Sequence, residues 1–158
     1  MPGHSDSQSA WGQLPLVVDT SAWSRAHQSH VKDAWKQALL EDRMRISPLV
    51  RFEILTGARS GRTFDELTDE LSTWRAAPLT ATVLRAAHDA MRTLAHRSSG
   101  AQRLPLVDYL VAAAAQEIGA AVLHYDSDYD TLAEIMGFDS IWLAPAGSAG
   151  VSVSPTPA

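Results

Sequence analysis

Leu14 to Trp23 reads Leu-Pro-Leu-Val-Val-Asp-Thr-Ser-Ala-Trp. A short apolar run rich in valine is the pattern of a buried strand, and this one stops at a carboxylate, Asp19, followed by two hydroxyl residues suited to opening a helix. An acid at the carboxyl end of a buried strand narrows the folds available. In open α/β sheets that edge gathers loops from distant parts of the chain, and ligands bind there. Further acids able to reach Asp19 would make that edge a site.

A second apolar run, Ala120 to Tyr125, also ends in an acid, Asp126, inside Asp126-Ser-Asp-Tyr-Asp130. Met44–Ile46 and Ser140–Leu143 read as shorter strands. Val31, Ala34, Trp35, Ala38 and Leu39 follow the spacing of an amphipathic helix over 31–42. Ser47-Pro48 supplies an N-cap and a first-turn proline for a helix running to Gly57, with Glu53 in its middle. Thr63-Phe-Asp-Glu66 fits a capping box for a helix to about Trp74, ended by Pro78. Thr82 to Arg97 has helical spacing again and stops at Arg97-Ser-Ser-Gly-Ala101. Leu106 to Ile118, with four consecutive alanines and Gly119 as its stop, is the most apolar helix, and Asp108 lies near its start. A last helix is expected from about Tyr129 to Met136, before Gly137. This alternation predicts an α/β domain with a central, mostly parallel sheet and more helix than strand. No internal repeat is present.

The length of 158 residues suits one domain with one sizeable core. No apolar run approaches the ~20 residues of a membrane span, so no membrane partner is expected. The first ten residues lack the basic and apolar regions of a signal peptide, and there is no cysteine, which together predict a cytoplasmic protein without disulfides or thiolate metal sites. A net charge of -5 argues against a surface coated in positive charge, but leaves room for a local basic groove. Residues 1–13 are small and polar and residues 145–158 are rich in Pro, Gly and Ser; both ends are expected to be disordered around a folded domain at 14–144.

Asp19, Glu53, Asp108 and Asp126 each have an ordinary reading: helix cap or turn residue for Asp19 and Asp108, exposed helix residue for Glu53, loop acid for Asp126 and its neighbour Asp128. Taken together they say more. Acids gathered at one sheet edge repel one another unless a hard divalent cation sits among them, and oxygen-only ligation selects Mg2+ or Mn2+. The spacing of His27 and His30 fits solvent-facing residues better than a ligand pair, and His124 reads as a buried strand residue facing the helices.

The ordered set Asp19-Thr-Ser-Ala-Trp23, Ser47-Pro-Leu-Val-Arg-Phe-Glu53 with Gly57, Asp108-Tyr-Leu-Val-Ala-Ala-Ala-Ala with Gly119, and Leu123-His-Tyr-Asp-Ser-Asp-Tyr-Asp130 resembles the PIN-domain ribonucleases. Within that superfamily it is most similar to the toxin subunit of VapBC toxin–antitoxin modules, from about Leu14 to Leu143. The resemblance implies a PIN-like three-layer α/β/α domain. It implies that Asp19, Glu53, Asp108 and Asp126 are the catalytic metal-binding acids, with Asp128 a further metal-binding member, and that Mg2+ is the cofactor with Mn2+ able to substitute. It also implies an RNA substrate, a homodimer, and a VapB-like antitoxin whose tail covers the groove. A metal-activated water would then hydrolyse RNA phosphodiesters. Tyr129 stands where the family often has phenylalanine, and so reads as a packing residue.

Ser21 is read as a helix cap or as a holder of a metal-bound water or phosphate oxygen. Arginine provides 11 of the 13 basic residues, and Arg25, Arg51, Arg59, Arg62, Arg97 and Arg103 are candidates for gripping RNA backbone. Trp23 and Trp35 are read either as antitoxin anchors or as core. Three rival functions stand beside this reading. A haloacid-dehalogenase-like phosphatase wants a second Asp where Ser21 stands. A Mg2+-binding phospho-receiver-like module wants a paired acid near Asp19 and a late lysine, whereas Lys32 and Lys36 lie early. A PIN-type RNA-processing nuclease without an antitoxin is the third.

Overall fold

The computed structural model describes residues 10–150. Five strands form one parallel sheet: β1 (Leu16–Val18), β2 (Met44–Ile46), β3 (Arg75–Ala76), β4 (Ala121–His124) and β5 (Asp139–Trp142), in the order β3-β2-β1-β4-β5. Between them run α1 (Thr20–Trp23), α2 (Lys32–Leu40), α3 (Pro48–Thr56), α4 (Gly61–Ser72), α5 (Ala81–Arg97), α6 (Leu106–Ile118) and α7 (Asp128–Ala133).

Strand alternation divides the core into two faces, because successive side chains point to opposite sides of a sheet. Val17, Ile46 and Val122 pack with residues of α3, α4, α5, α6 and α7, among them Val50, Leu71, Leu94, Val111 and Leu132. Leu16, Val18, Met44, Ala121 and Leu123 face the other way, onto Ala22 of α1 and Trp35 and Ala38 of α2. The result is the expected three-layer α/β/α arrangement. The buried alanine run of α6, Ala112–Ala115, keeps that helix close to the sheet.

Packing extends past both expected domain boundaries. Trp11 is buried, meets Trp35 edge-on with ring centroids 6.4 Å apart, and donates from Nε1 to the carbonyl of Leu143. The buried guanidinium of Arg43 donates to the carbonyls of Leu14 and Trp11. At the other end the buried Ala149 donates its N–H to the Tyr125 hydroxyl at 2.8 Å and accepts from Arg25 Nε at 2.8 Å. The rest of the two ends, residues 1–9 and 151–158, lies outside the described residues. Trp35 is core, packed between Trp11 and Trp74, while Trp23 is half-buried and packs against both cores.

Candidate metal centre

The strand order places a switch point between β1 and β4: the chain builds outward from β1 through β2 to β3, then returns to the other side of β1. Crevices in open parallel sheets form at the carboxyl ends of such a strand pair. Asp19 follows β1 and Asp126 lies just past β4, so both acids arrive at this crevice.

Local chemistry fixes each. Asp19 is the N-cap of α1, its Oδ2 accepting from the N–H of Ser21 at 3.0 Å and from the Ser21 hydroxyl at 2.5 Å. The Ser21 Oγ in turn accepts the N–H of Tyr125 at 3.0 Å and so ties the end of β1 to the end of β4. Ser21 is therefore a clamp on Asp19, and the helix cap is Asp19 itself. Asp126 Oδ1 accepts the N–H of Asp128 at 3.0 Å, an Asx turn that opens α7. Asp108 is not the cap of α6, since Pro105 occupies that position; it lies in the first turn, where the helix dipole favours an acid.

Asp108, Asp126 and Asp128 each offer a carboxylate oxygen, and the three oxygens lie within 4.8 Å of one another. Asp19 adjoins them through the Tyr129 hydroxyl, which lies 2.7 Å from Asp19 Oδ1 and 3.2 Å from Asp108 Oδ1. Glu53 stands apart from the three: it is exposed on α3 and accepts from the Thr20 hydroxyl at 2.6 Å, beside Asp19 in the chain. Asp128, read from the sequence as an extra member, is thus inside the tightest group.

Asp108 Oδ2 is buried and has no hydrogen-bond partner. A buried carboxylate oxygen left bare is costly and calls for a cation or a proton. Burial first, then the charges of Asp19 and Asp126, push the Asp108 carboxyl from its ordinary 3.8 up to about 7, against the Tyr129 hydrogen bond that pulls it down. Burial and then Asp126 also raise Asp128. These residues fit a hard divalent ion: the donors are all carboxylate oxygens, one of them unpartnered. His27 and His30 are exposed, and no histidine joins a ligand cluster among the described residues.

His124 is the buried strand residue the sequence implies and Tyr129 is packed as expected, but the hydrogen bonds of these two, and of Ser140 and Asp130, are not legible in the sequence. His124 is fully buried, with Nδ1 accepting the N–H of Asp126 at 3.1 Å, which leaves Nε2 to donate to Ser140 Oγ at 2.6 Å. Ser140 passes a hydrogen bond to Asp130 Oδ1 at 2.6 Å, and Trp142 Nε1 donates to Asp130 Oδ2 at 2.9 Å. This chain anchors the Asp126 backbone to β5 and α7. Burial holds His124 down at about 4, so the ring is neutral in the working range. Asp130 was visible as one more acid in the run and Ser140 as an ordinary strand residue; neither carries a local signal. Tyr129 was read as packing, and nothing in a helix pattern shows where its hydroxyl ends.

The candidate arginines separate as well. Arg25 is committed internally: Nη1 donates to the Ser21 carbonyl at 2.7 Å, and the guanidinium lies over the Tyr125 ring at 4.5 Å. Arg62 pairs with Glu66 and Arg97 with Glu134 on the surface.

Known proteins resemble the chain in sequence and in fold. The PIN domain family profile matches residues 16–135. Ribonuclease VapC18 of Mycobacterium tuberculosis is 39% identical over 136 residues, covering 85% of this chain and 99% of that protein. Ribonuclease VapC51 of the same organism is 32% identical over 135 residues, covering 85% and 97%. Among solved structures, DNA-bound VapBC from Salmonella typhimurium shares the fold with a TM-score of 0.66 at 17% identity, over 84% of this chain and all of that one. The chain belongs to the PIN-domain family and, within it, to the VapC ribonucleases.

Proposed function

We propose that this protein is a divalent-metal-dependent endoribonuclease acting in the cytoplasm as the toxin of a toxin–antitoxin pair. The observation that carries the metal reading is the bare, buried Oδ2 of Asp108 in a group with Asp126 and Asp128 at the β1/β4 crevice. Asp19, Asp108, Asp126 and Asp128 would hold Mg2+ or Mn2+, with Glu53 completing the acid set from α3. A bound divalent ion supplies Lewis acidity toward a phosphodiester and a lowered pKa for the attacking water. The chain's own part is positional. Ser21 fixes Asp19, His124 fixes the Asp126 backbone, and Asp108 would serve as a ligand in its carboxylate form.

The relatives are named ribonucleases, and a structural neighbour is a complex named VapBC, which supports RNA as substrate and a VapB-like antitoxin as partner; the homodimer rests on the family resemblance alone. The rival functions fit less well. A phospho-receiver has the strand order 2-1-3-4-5, whereas the order here is β3-β2-β1-β4-β5. Lys32 and Lys36 are exposed on α2, and the position where a phosphatase needs its second Asp is Ser21, bonded to Asp19. A processing nuclease without an antitoxin shares the site and differs in biology.

Two experiments test the proposal. Purified protein should cleave single-stranded RNA with Mg2+ or Mn2+ and stop in excess EDTA; Asp19→Asn, Glu53→Gln, Asp108→Asn and Asp126→Asn should each remove most activity, with losses that do not add. Full cleavage in EDTA would overturn the metal mechanism. Expression alone should arrest growth and co-expression of the neighbouring antitoxin should restore it, whereas harmless expression of folded, active enzyme assigns it to processing.

A further inference from the structure

Tyr129 is fully buried on α7, its ring against His124 with centroids 4.9 Å apart. A buried phenol needs a hydrogen-bond partner, and a backbone carbonyl would satisfy it. Here the partners are two carboxylates from separate elements, Asp19 at the end of β1 and Asp108 in the first turn of α6. Packing alone does not need the oxygen: phenylalanine would fill the same volume without one.

We propose that Tyr129 is a positioning residue of the acid site, its hydroxyl holding Asp19 Oδ1 and Asp108 Oδ1 on one anchor while Asp108 Oδ2 stays without a protein donor. The proposal deepens the divalent-ion reading above and rests on it. With Ser21 on Oδ2 and Tyr129 on Oδ1, both oxygens of Asp19 are held before any ion arrives. The single phenol proton is shared between Asp19 and Asp108, mainly on the shorter contact to Asp19, and a neutral donor between two carboxylates offsets part of their repulsion. Ligands fixed in this way lose less rotamer freedom when an ion binds, which is how outer partners tune metal affinity.

Tyr129→Phe removes one oxygen and keeps the ring. The test follows Mn2+ binding through loss of the free-ion paramagnetic resonance signal, together with the metal-free melting temperature and the kinetics of RNA cleavage. The Kd for Mn2+ should rise by about tenfold, and the metal concentration for half-maximal rate should rise with it. KM for RNA at saturating metal should stay at the wild-type value. Unchanged Mn2+ affinity overturns the positioning role, and if the variant also melts well below wild type the hydroxyl serves the fold alone. A wild-type protein that binds no Mn2+ instead overturns the divalent-ion reading itself, so the two failures are distinguishable.

Discussion

At the scale of single residues, Asp108 is buried with one carboxylate oxygen unpartnered, and the strain this causes has a sign. A carboxyl whose folded pKa stands above its unfolded value contributes its stability at low pH and loses it as pH rises from the unfolded to the folded value. For Asp108 that window runs from 3.8 to about 7. His124 is shifted oppositely, from 6.5 down to about 4, so it costs stability as pH falls through that range. The two slopes oppose each other below pH 6.5, and above it Asp108 acts alone. In EDTA, Asp108→Asn should therefore be more stable than wild type at pH 8, by roughly a few kcal/mol at most, and melt higher, with the gap closing toward pH 5. Saturating Mg2+ should reverse the ranking, because only the wild type keeps the full ligand set. Thermal melts across pH, with and without metal, check this; an Asn variant less stable than wild type at pH 8 in EDTA would remove the electrostatic strain from the account.

Secondary elements carry the next layer, and here the hydrogen-bond chain from His124 through Ser140 to Asp130 joins β4, β5 and α7. Ser140→Ala leaves the buried Nε2–H without an acceptor and should cost about 1–3 kcal/mol in denaturant unfolding; a neutral result would mean the ring finds another partner. The elements also show what sequence can and cannot reveal. Leu106–Ile118 was expected with the bounds it has, because its apolar face is wide and Gly119 takes the left-handed conformation, φ 65, that ends a helix. Strand β3 was not foreseen: Arg75–Ala76 is two exposed residues at the sheet edge, with no apolar alternation to betray it. Helix α4 begins earlier than the capping box at Thr63 suggested, because Ser60 caps first, its hydroxyl accepting the Thr63 N–H at 3.1 Å. Ser60→Ala should accordingly cost about 1 kcal/mol, and Thr63→Ala less. Helix α7 is shorter than the expected 129–136. The acids at strand ends were legible for the same reason the strands were: a carboxylate after an apolar run is conspicuous. The Tyr129 hydroxyl, the bare Asp108 oxygen and the distance of Glu53 from the three clustered acids were not, since each depends on tertiary orientation.

For the whole molecule the question is how an acidic protein, with net charge -5, holds an acidic polymer. Bulk attraction cannot do it, so binding must come from local cations that the fold leaves unneutralised. Arg25 is held by backbone carbonyls and an aromatic ring, and Arg62 and Arg97 face carboxylates. Arg51, Arg59 and Arg103 carry no ion pair among the described residues. Arg103 is exposed in the loop just before α6, its guanidinium lying over Gly100 of the same loop and five residues before Asp108 in the chain. Arg103→Ala should therefore weaken RNA binding and reduce the slope of log affinity against log salt by about one. The measurement needs a labelled single-stranded RNA and an Asp126→Asn background, so that binding is read without cleavage. Arg25→Ala provides the contrast: it should lower the melting temperature, because it releases Ala149 and the Ser21 carbonyl, with a smaller effect on the salt slope of whatever remains folded. If Arg103→Ala keeps the wild-type slope while the Arg25 variant alters it, RNA follows a path over α1 instead of over the entrance to α6.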